Sequence, residues 1–401
     1  MKKCPNCKSN ALISFYKVNQ VPVHSIMLME SNEEAVSFPK RDMELSYCTN
    51  CGFIHNSIFD PDIQEYNAKC EETQGFSPTF NRFHEALAKR LIKKHGLYDK
   101  TVLEIGCGKG DFISMLCELG NNKGYGFDPA FVPDRNPDQH GNVEFITDLY
   151  SEKYADYKAD FVCCKMTLEH IPDTLDFLRV VRKAIGNNLD TTIFFQIPEA
   201  GRVLKDLGFW DVYYEHCSYF SPESLEYLFK RAGFDVLEVG TEYDDQYLMI
   251  EAKPSVKEYT DGDIDIDTSQ ILDYFEYFRD NIYGILDQWK ALIHSYLEKG
   301  KKIVLWGGGS KAVAFMTTLG ITDEIKYAVD INPYKHDHYL PGSGQKVIAP
   351  ENLIAYQPDY VILMNPIYTE EVTKQLQEMD LYPEIIPVDF LSKEQLAHEE
   401  A

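Results

Sequence analysis

A strand, a glycine-rich turn and a helix follow one another in residues 100–120, KTVLEIGCGKGDFISMLCELG, and this unit constrains the fold most strongly. Glu104 ends the apolar run, and Gly106, Gly108 and Gly110 follow at alternate positions. Glycines let a ligand approach the backbone closely, at the N-terminus of the helix that follows. Because strand and helix patterns continue to alternate downstream, we predict a doubly wound α/β domain with a ligand at this turn.

The spacing of the glycines distinguishes between two cofactors. The NAD fingerprint is G-x-G-x-x-G, whereas here the third glycine comes one residue earlier, in the pattern E-x-G-x-G-x-G. This pattern resembles motif I of class I S-adenosylmethionine (SAM) methyltransferases. Asp128 ends the next strand, where a carboxylate can accept both ribose hydroxyls, and Asp148 is placed to approach the adenine. We therefore predict SAM as the cofactor, and the alternative is a flavodoxin-like turn without a cofactor.

Four of the ten cysteines form two C-x2-C pairs with forty residues between them: Cys4, Cys7, Cys48 and Cys51. Two thiolates two residues apart can bind one metal from a tight turn, and two such pairs complete the tetrahedral S4 site that Zn²⁺ favours. Four protein ligands leave no open position, so we predict a structural zinc. The alternative is two redox-active or unligated pairs. The other six cysteines are scattered, which indicates thiols in a reducing compartment rather than disulfides.

The chain divides into three segments, because 401 residues are more than a single core usually serves. We predict a zinc-binding domain over residues 1–75, a class I SAM methyltransferase domain over 76–254 and a Rossmann-like α/β domain over 255–401. A polar, acidic stretch, KPSVKEYTDGDIDIDTS, reads as the linker before the last domain.

The last segment contains a second glycine-rich turn. Gly307, Gly308 and Gly309 follow an apolar strand, and Asp330 ends the next strand about 20 residues later. Taken alone, the pattern suggests a nucleotide site. A single glycine turn is weak evidence, so we favour substrate docking or a scaffold over a second cofactor.

Charge and hydropathy limit the partners. The net charge of −25 argues against nucleic acid, which calls for a basic surface. No apolar run approaches the length of a membrane span, and the N-terminus lacks the pattern of a signal peptide. We expect a soluble cytoplasmic protein with a small-molecule substrate and no membrane partner. The sequence leaves the oligomeric state open, and a monomer is compatible with it.

An ionisable pair lies within an aromatic stretch, WDVYYEHCSYFSPESL, over residues 210–225. Glu215 and His216 follow Tyr213, and burying such charges is costly unless they are paired or used. His170, in KMTLEH, follows the fourth strand of the methyltransferase segment. From spacing alone, a buried pair that only ties a loop to the core is the preferred explanation.

The order of these motifs resembles the three-domain sugar C-methyltransferases, which methylate C3 of nucleotide-linked 4-keto-6-deoxy sugars. The cysteine pairs, YYEHCSYFSPESL, WGGGSKAV and VDINPYKHDHYLPG carry the resemblance, which covers nearly the whole chain. It implies an active site formed by Tyr213, Glu215, His216 and His170. Tyr66, in EYNAKCEETQGFSPTF, matches a further family tyrosine, but a second tyrosine and a serine pair of that stretch are replaced here. This departure bears on the identity of the sugar.

C-methylation beside a ketone needs a base for the α proton, a donor for the enolate oxygen and close alignment. His216 is the expected base, because imidazole titrates in the right range. We expect Glu215 to orient it or to hold a sugar hydroxyl, and Tyr213 and His170 to donate to the oxyanion. The alternatives are an O- or N-methyltransferase acting on another small metabolite, or a SAM-binding protein without catalysis.

Overall fold

The computed structural model describes residues 3–133, 135 and 141–399, with the backbone alone for the last three of these. The strands are β1 (Leu12–Pro22), β2 (Lys40–Cys48), β3 (Ile54–Asn56), β4 (Thr101–Ile105), β5 (Lys123–Phe127), β6 (Val143–Ile146), β7 (Phe161–Lys165), β8 (Thr192–Pro198), β9 (Ser218–Tyr219), β10 (Phe234–Glu242), β11 (Tyr247–Pro254), β12 (Ile303–Trp306), β13 (Tyr327–Val329), β14 (Lys346–Ile348), β15 (Tyr360–Leu363) and β16 (Glu384–Pro387). The α-helices are α1 (Asn32–Ser37), α2 (Pro78–His95), α3 (Asp111–Gly120), α4 (Thr174–Ile185), α5 (Ala200–Lys205), α6 (Pro222–Arg231), α7 (Ser269–Glu298), α8 (Ser310–Leu319), α9 (Leu353–Tyr356), α10 (Thr369–Glu378) and α11 (Phe390–Glu399).

The N-terminal sheet is antiparallel and has the order β1-β2-β3-β9. Its first three strands come from the start of the chain, whereas β9 comes from the stretch that follows His216. Ile54 pairs with Tyr219 and His55 with Ser218, so the edge of this sheet is completed by a distant segment. The pairing holds the Glu215–His216 stretch against the N-terminal part of the chain.

The middle sheet has the order β10-β11-β8-β7-β4-β5-β6. The strands from β8 to β6 in that order are parallel, and β11 runs antiparallel to both of its neighbours. Strand order reverses at β4, which has β5 on one side and β7 on the other. Ligands of open α/β sheets bind beyond the carboxyl ends of the strands at such a switch point. This topology confirms the predicted class I SAM methyltransferase core.

Alternation along β4 sets the two faces of this sheet. Val102 packs in the apolar cluster that includes residues of α2 and α3, whereas Leu103 and Ile105 pack with residues of α4 and α6. Successive side chains of a strand point to opposite faces, so Glu104 lies on the same face as Val102. The motif acid is thereby directed toward α2 and α3, at the end of the strand where the glycine turn begins.

The C-terminal sheet is parallel throughout and has the order β14-β13-β12-β15-β16. Its glycine turn joins β12 to α8, and the Oδ2 atom of Asp330 accepts a hydrogen bond from the amide of Gly308 at 2.9 Å. The middle domain repeats this arrangement, since Oδ2 of Asp128 accepts from the amide of Gly108 at 2.8 Å. The structure confirms that the last segment is a second Rossmann-like unit.

The long helix α7 joins the N-terminal sheet to the C-terminal unit. Phe275 stacks on Tyr47 of β2, with ring centroids 4.5 Å apart, and Trp289 contacts Phe315 of α8 edge to face at 5.1 Å. Residues of all three belong to one apolar cluster. Among the helices of the described chain, none is both long and apolar enough to cross a bilayer.

Candidate functional site

The glycine turn after β4 can be built only from glycine. Gly106, Gly108 and Gly110 have φ angles of 70°, 54° and 85°, a region that L-residues with side chains rarely adopt. A Cβ atom on Gly106 would lie 1.9 Å from Oγ1 of Thr167, and one on Gly110 would lie 2.6 Å from the ring of Phe145. Both clashes are too close to tolerate. The turn therefore exposes bare backbone to the cavity, as the motif predicts.

The two acids predicted to bind the adenosine differ in their surroundings. Asp128 is held by two backbone amides, those of Gly108 at 2.8 Å and Ala130 at 2.7 Å, and each of its oxygens keeps a lone pair for a further donor. Asp148 is only partly buried, and the Lys153 ammonium and the Tyr154 hydroxyl lower its pKa to about 2. Both acids line the same cavity.

This cavity has a volume of about 560 Å³ and runs from the glycine turn to the aromatic stretch after α5. All of the predicted catalytic side chains line it: Tyr66, His170, Tyr213, Glu215 and His216. They come from three separate parts of the chain, and the fold brings them together in this cavity. We call these five residues the reaction wall.

His170 makes two mutually exclusive contacts within the reaction wall. Its Nδ1 atom lies 2.9 Å from the hydroxyl of Tyr66 and 3.1 Å from the backbone oxygen of Glu215. When Nδ1 is protonated it donates to the carbonyl, and Nε2 then carries a free lone pair. When Nδ1 is unprotonated it accepts from Tyr66, and Nε2–H becomes a donor. Burial lowers the pKa of His170 to about 4, so either tautomer is neutral.

His216 lies between two other rings of the reaction wall. Its centroid is 4.1 Å from that of Tyr213 and 4.7 Å from that of His170, which it meets edge to face. Burial lowers its pKa well below the usual value, and His170 and Lys311 add to this effect. Burial also raises the pKa of the Tyr213 hydroxyl well above its usual range. The wall therefore offers neutral imidazoles and a protonated phenol.

Glu215 has a different neighbour from the one that its sequence position suggests. Its Oε1 atom accepts hydrogen bonds from both the amide of Ser25, at 2.7 Å, and the Ser25 hydroxyl. Within the part of the chain that the structure describes, no hydrogen bond joins Glu215 to His216. No contact therefore supports the expectation that Glu215 orients His216 directly. Oε2 is buried without a partner, and burial raises the pKa of the carboxyl to about 7. The second expectation, that it holds a substrate hydroxyl, is compatible with this free oxygen.

Sequence reasoning missed three polar residues of the cavity, namely Glu72, Lys165 and His84. Glu72 is a carboxylate whose two oxygens are buried without a hydrogen bond, and it lies 3.5 Å from the Lys109 ammonium. Lys165 ends β7, and its ammonium contacts Nε2 of His84 on α2. A signal for Lys165 was available, because a lysine at the end of an apolar strand is unusual. No local pattern marks Glu72 or His84.

The four paired cysteines form one cluster. Sγ of Cys4 lies 3.8 Å from Sγ of Cys51, Sγ of Cys7 lies 3.5 Å from Sγ of Cys48, and all four sulfurs lie within 4.8 Å of one another. A tetrahedral zinc with bonds of about 2.3 Å separates its sulfurs by about 3.8 Å. The donor set and its spacing fit a zinc ion. Asn6 links the cluster to α6, because its amide donates to the backbone oxygen of Ser224 at 2.9 Å.

A second cavity of about 250 Å³ lies at the C-terminal glycine turn. Gly307, Gly309 and Lys311 line it, and the Lys311 ammonium forms an ion pair with Asp211. The two cavities share several wall residues: Ile26, Glu72, Thr73, Gln74, Met166, Tyr213 and Ser310. A ligand whose reacting end lies at the reaction wall can therefore extend toward the C-terminal turn.

Two family models match adjacent parts of the chain. Residues 46–239 match a methyltransferase domain, and residues 245–381 match the C-methyltransferase C-terminal domain. The chain is 25% identical over 310 residues to the C-methyltransferase NovU of Streptomyces niveus, covering 73% of each protein.

Two further similarities each cover less than half of the chain. It is 28% identical over 152 residues to the ubiquinone biosynthesis O-methyltransferase of Pseudoalteromonas translucida (strain TAC 125), which covers 35% of this chain and 63% of that protein. A solved structure of 1,6-didemethyltoxoflavin-N1-methyltransferase from Burkholderia thailandensis, with its substrate and S-adenosylhomocysteine (SAH), aligns with a TM-score of 0.36 and 17% identity, covering 45% of this chain and 82% of that one. The two family models and the similarity to NovU together indicate a SAM-dependent methyltransferase that is related to the C-methyltransferases.

Proposed function

We propose that the protein methylates the carbon next to the ketone, C3, of a nucleotide-linked 4-keto deoxy sugar. The observation that carries the proposal is the reaction wall, where two neutral histidines, two tyrosines and a glutamate line the same cavity as the glycine turn. C-methylation needs a base, an oxyanion donor and a substrate handle in the same place. These groups can supply all three, and the proposed step needs no metal ion.

In the proposed reaction His216 accepts the α proton. The C–H bond breaks, its electron pair forms an enolate, and the proton moves to the imidazole, which burial keeps neutral beforehand. Bound SAM supplies the electrophilic methyl group. Tyr213 keeps its proton, so its hydroxyl can donate to the developing enolate oxygen. His170 can do the same through Nε2 in the tautomer that accepts from Tyr66.

Glu215 and the second cavity serve substrate binding in this proposal. The free Oε2 of Glu215 can accept a sugar hydroxyl, while Oε1 stays bound to Ser25. The nucleotide end extends into the second cavity, where the N-terminus of α8 suits an anionic group beside the Lys311–Asp211 ion pair. The ten-residue helix α8 begins directly at the glycine turn.

A substrate panel tests the proposal. Nucleotide-linked 4-keto sugars are incubated with the enzyme and methyl-labelled SAM, and the products are analysed by NMR. We expect label in a methyl group bonded to carbon, which survives mild hydrolysis of the sugar. Label in an O- or N-methyl group would instead support the alternative methyltransferase, and absence of transfer to every keto sugar would overturn the proposed substrate class.

A further inference from the structure

Lys165 is a partly buried lysine whose charge has no carboxylate partner close by. Its ammonium contacts Nε2 of His84 and lies 3.9 Å from the centroid of the Phe112 ring. Within the described residues, no carboxylate lies within 4.0 Å of it. An ammonium carries three donors, and a buried cation is costly without partners for them. One donor goes to His84, which leaves hydrogen-bonding capacity directed at the cavity that Lys165 lines.

Glu104 is the matching acid at the same end of the cavity. It is 2% exposed, and its Oε2 atom has no hydrogen-bond partner. The charges of Glu104 and Lys165 influence each other, since the acid counteracts the lowering of the lysine pKa by burial. The two groups nevertheless stay too far apart for an ion pair. A split pair of this kind fits a zwitterion placed between them, with each charge of the ligand facing the opposite charge of the protein.

The strand order gives the direction of the bound cofactor. Asp128 and Asp148 follow β5 and β6, on one side of β4, and Lys165 ends β7 on the other side. With the ribose at Asp128 and the adenine toward Asp148, the rest of SAM extends across the β4 turn. Its amino-acid end, which carries one carboxylate and one ammonium, then lies at the β7 side of the cavity.

We propose that Lys165 binds the α-carboxylate of SAM, with Glu104 facing its α-ammonium and His84 positioning the lysine. His84 is itself fixed, because its ring stacks on Phe112, with centroids 4.8 Å apart, and contacts Phe80 at 5.0 Å. Burial lowers the pKa of His84 well below its usual value, with the Lys165 charge adding to the effect. The imidazole therefore accepts from the lysine and does not compete with it for the carboxylate.

The test compares SAM with decarboxylated SAM, which lacks only the carboxylate, by calorimetric titration of the full chain. Lys165→Met keeps the length of the side chain and removes the charge. Charge-assisted hydrogen bonds correspond to about ten- to hundredfold in affinity. We expect the preference for SAM over decarboxylated SAM to fall by that factor in the variant. Binding of 5′-methylthioadenosine, which has neither charged group, should stay unchanged and so reports that the adenosine site is folded.

The matched control is Lys183→Met, an exposed lysine that pairs with Glu152 and lines neither cavity. It should leave the preference for SAM unchanged. If Lys165→Met fails to fold, Lys165→Gln gives the same comparison with a polar side chain. His84→Leu should reduce the preference, and His84→Asn, which keeps an acceptor, should restore part of it. A preference that is the same in wild type and in a folded Lys165 variant would overturn the proposal.

Discussion

His216 and His170 show how burial sets the state of single residues. Both imidazoles are neutral because removal from water disfavours the charged form. A neutral imidazole can accept a proton, and the edge-to-face contact between the two rings keeps them 4.7 Å apart. His170 has its Nδ1 engaged by Tyr66 or by the Glu215 carbonyl, whereas His216 has only ring contacts with its neighbours in the wall. In the proposed reaction, His216 is therefore better placed than His170 to act as the base.

Replacing His216 by Asn should separate proton removal from cofactor binding. We expect methyl transfer to fall by about 10²–10⁴-fold, which is the usual contribution of a general base. SAM affinity should be unchanged, because the proposed reaction assigns the imidazole to the substrate. In D₂O without a methyl donor, SAH-bound wild type should exchange the α proton of a 4-keto sugar, and His216→Asn should not. NMR of the sugar measures both the methyl transfer and the deuterium exchange.

The control for this variant is His95→Asn, a partly buried histidine that contacts Glu251 outside the cavity. It should exchange and methylate as wild type does. Exchange and methylation at wild-type rates in His216→Asn would assign the base to another group, with His170 the next to test. The Glu215–His216 pair would then have a purely structural role.

Asp128→Ala should weaken SAM binding by removing an acceptor of two ribose hydroxyls. Charge-assisted hydrogen bonds contribute roughly 1.5–3 kcal/mol, so we expect about tenfold weaker binding or more by calorimetry. The C-terminal turn offers a matched control, because Asp330 makes the same hydrogen bond to Gly308 that Asp128 makes to Gly108. Asp330→Ala should leave SAM affinity intact. Unchanged affinity in a folded Asp128→Ala protein would remove this acid from the ribose site.

At the scale of elements, local sequence patterns predicted the two strand–turn–helix units. The glycine spacing and apolar periodicity were sufficient for the β4–α3 and β12–α8 units, because a strand–turn–helix needs only neighbouring residues. Pairing of β3 with β9 could not be predicted, since the short strands come from distant parts of the chain and carry no alternating pattern of their own. The bond from Ser25 to Glu215 spans 190 residues and is likewise a product of that tertiary pairing.

Gly106→Ala tests the turn as an element. The added Cβ would clash with Thr167 Oγ1 at 1.9 Å and would sit at a φ of 70°. We expect loss of measurable SAM binding together with lower stability. Gly96→Ala is the matched control, because that glycine has a φ of 62° with no atom within 4 Å of the new Cβ. It should lower the free energy of unfolding by about 1–2 kcal/mol, the cost of the left-handed conformation, without loss of SAM binding. Urea denaturation and calorimetry measure the two effects, and equal SAM affinity in both variants would contradict the role of the turn.

At the scale of the whole molecule, contacts between distant segments surround the cavities. The N-terminal sheet receives β9 directly after the reaction wall, and α7 packs against both that sheet and α8. Glu71, which precedes the cavity residue Glu72, binds Arg135 in the methyltransferase segment and Asn332 in the C-terminal unit. The site therefore depends on all three sheets, and a change in the cysteine cluster should affect the fold before it affects the chemistry.

Metal analysis of protein purified without added zinc should find about one zinc per chain on the cysteine cluster. Structural zinc contributes folding free energy, so the double variant Cys4→Ser/Cys48→Ser should lose the metal and unfold at a lower temperature. Asn6 joins the cluster to α6, and β3 of the N-terminal sheet pairs with β9. Loss of zinc should therefore reduce activity only as a consequence of unfolding. Cys117→Ser, a buried cysteine outside the cluster, should keep the zinc. A wild-type protein without zinc, or a double variant that keeps its full metal content, would rule out this assignment.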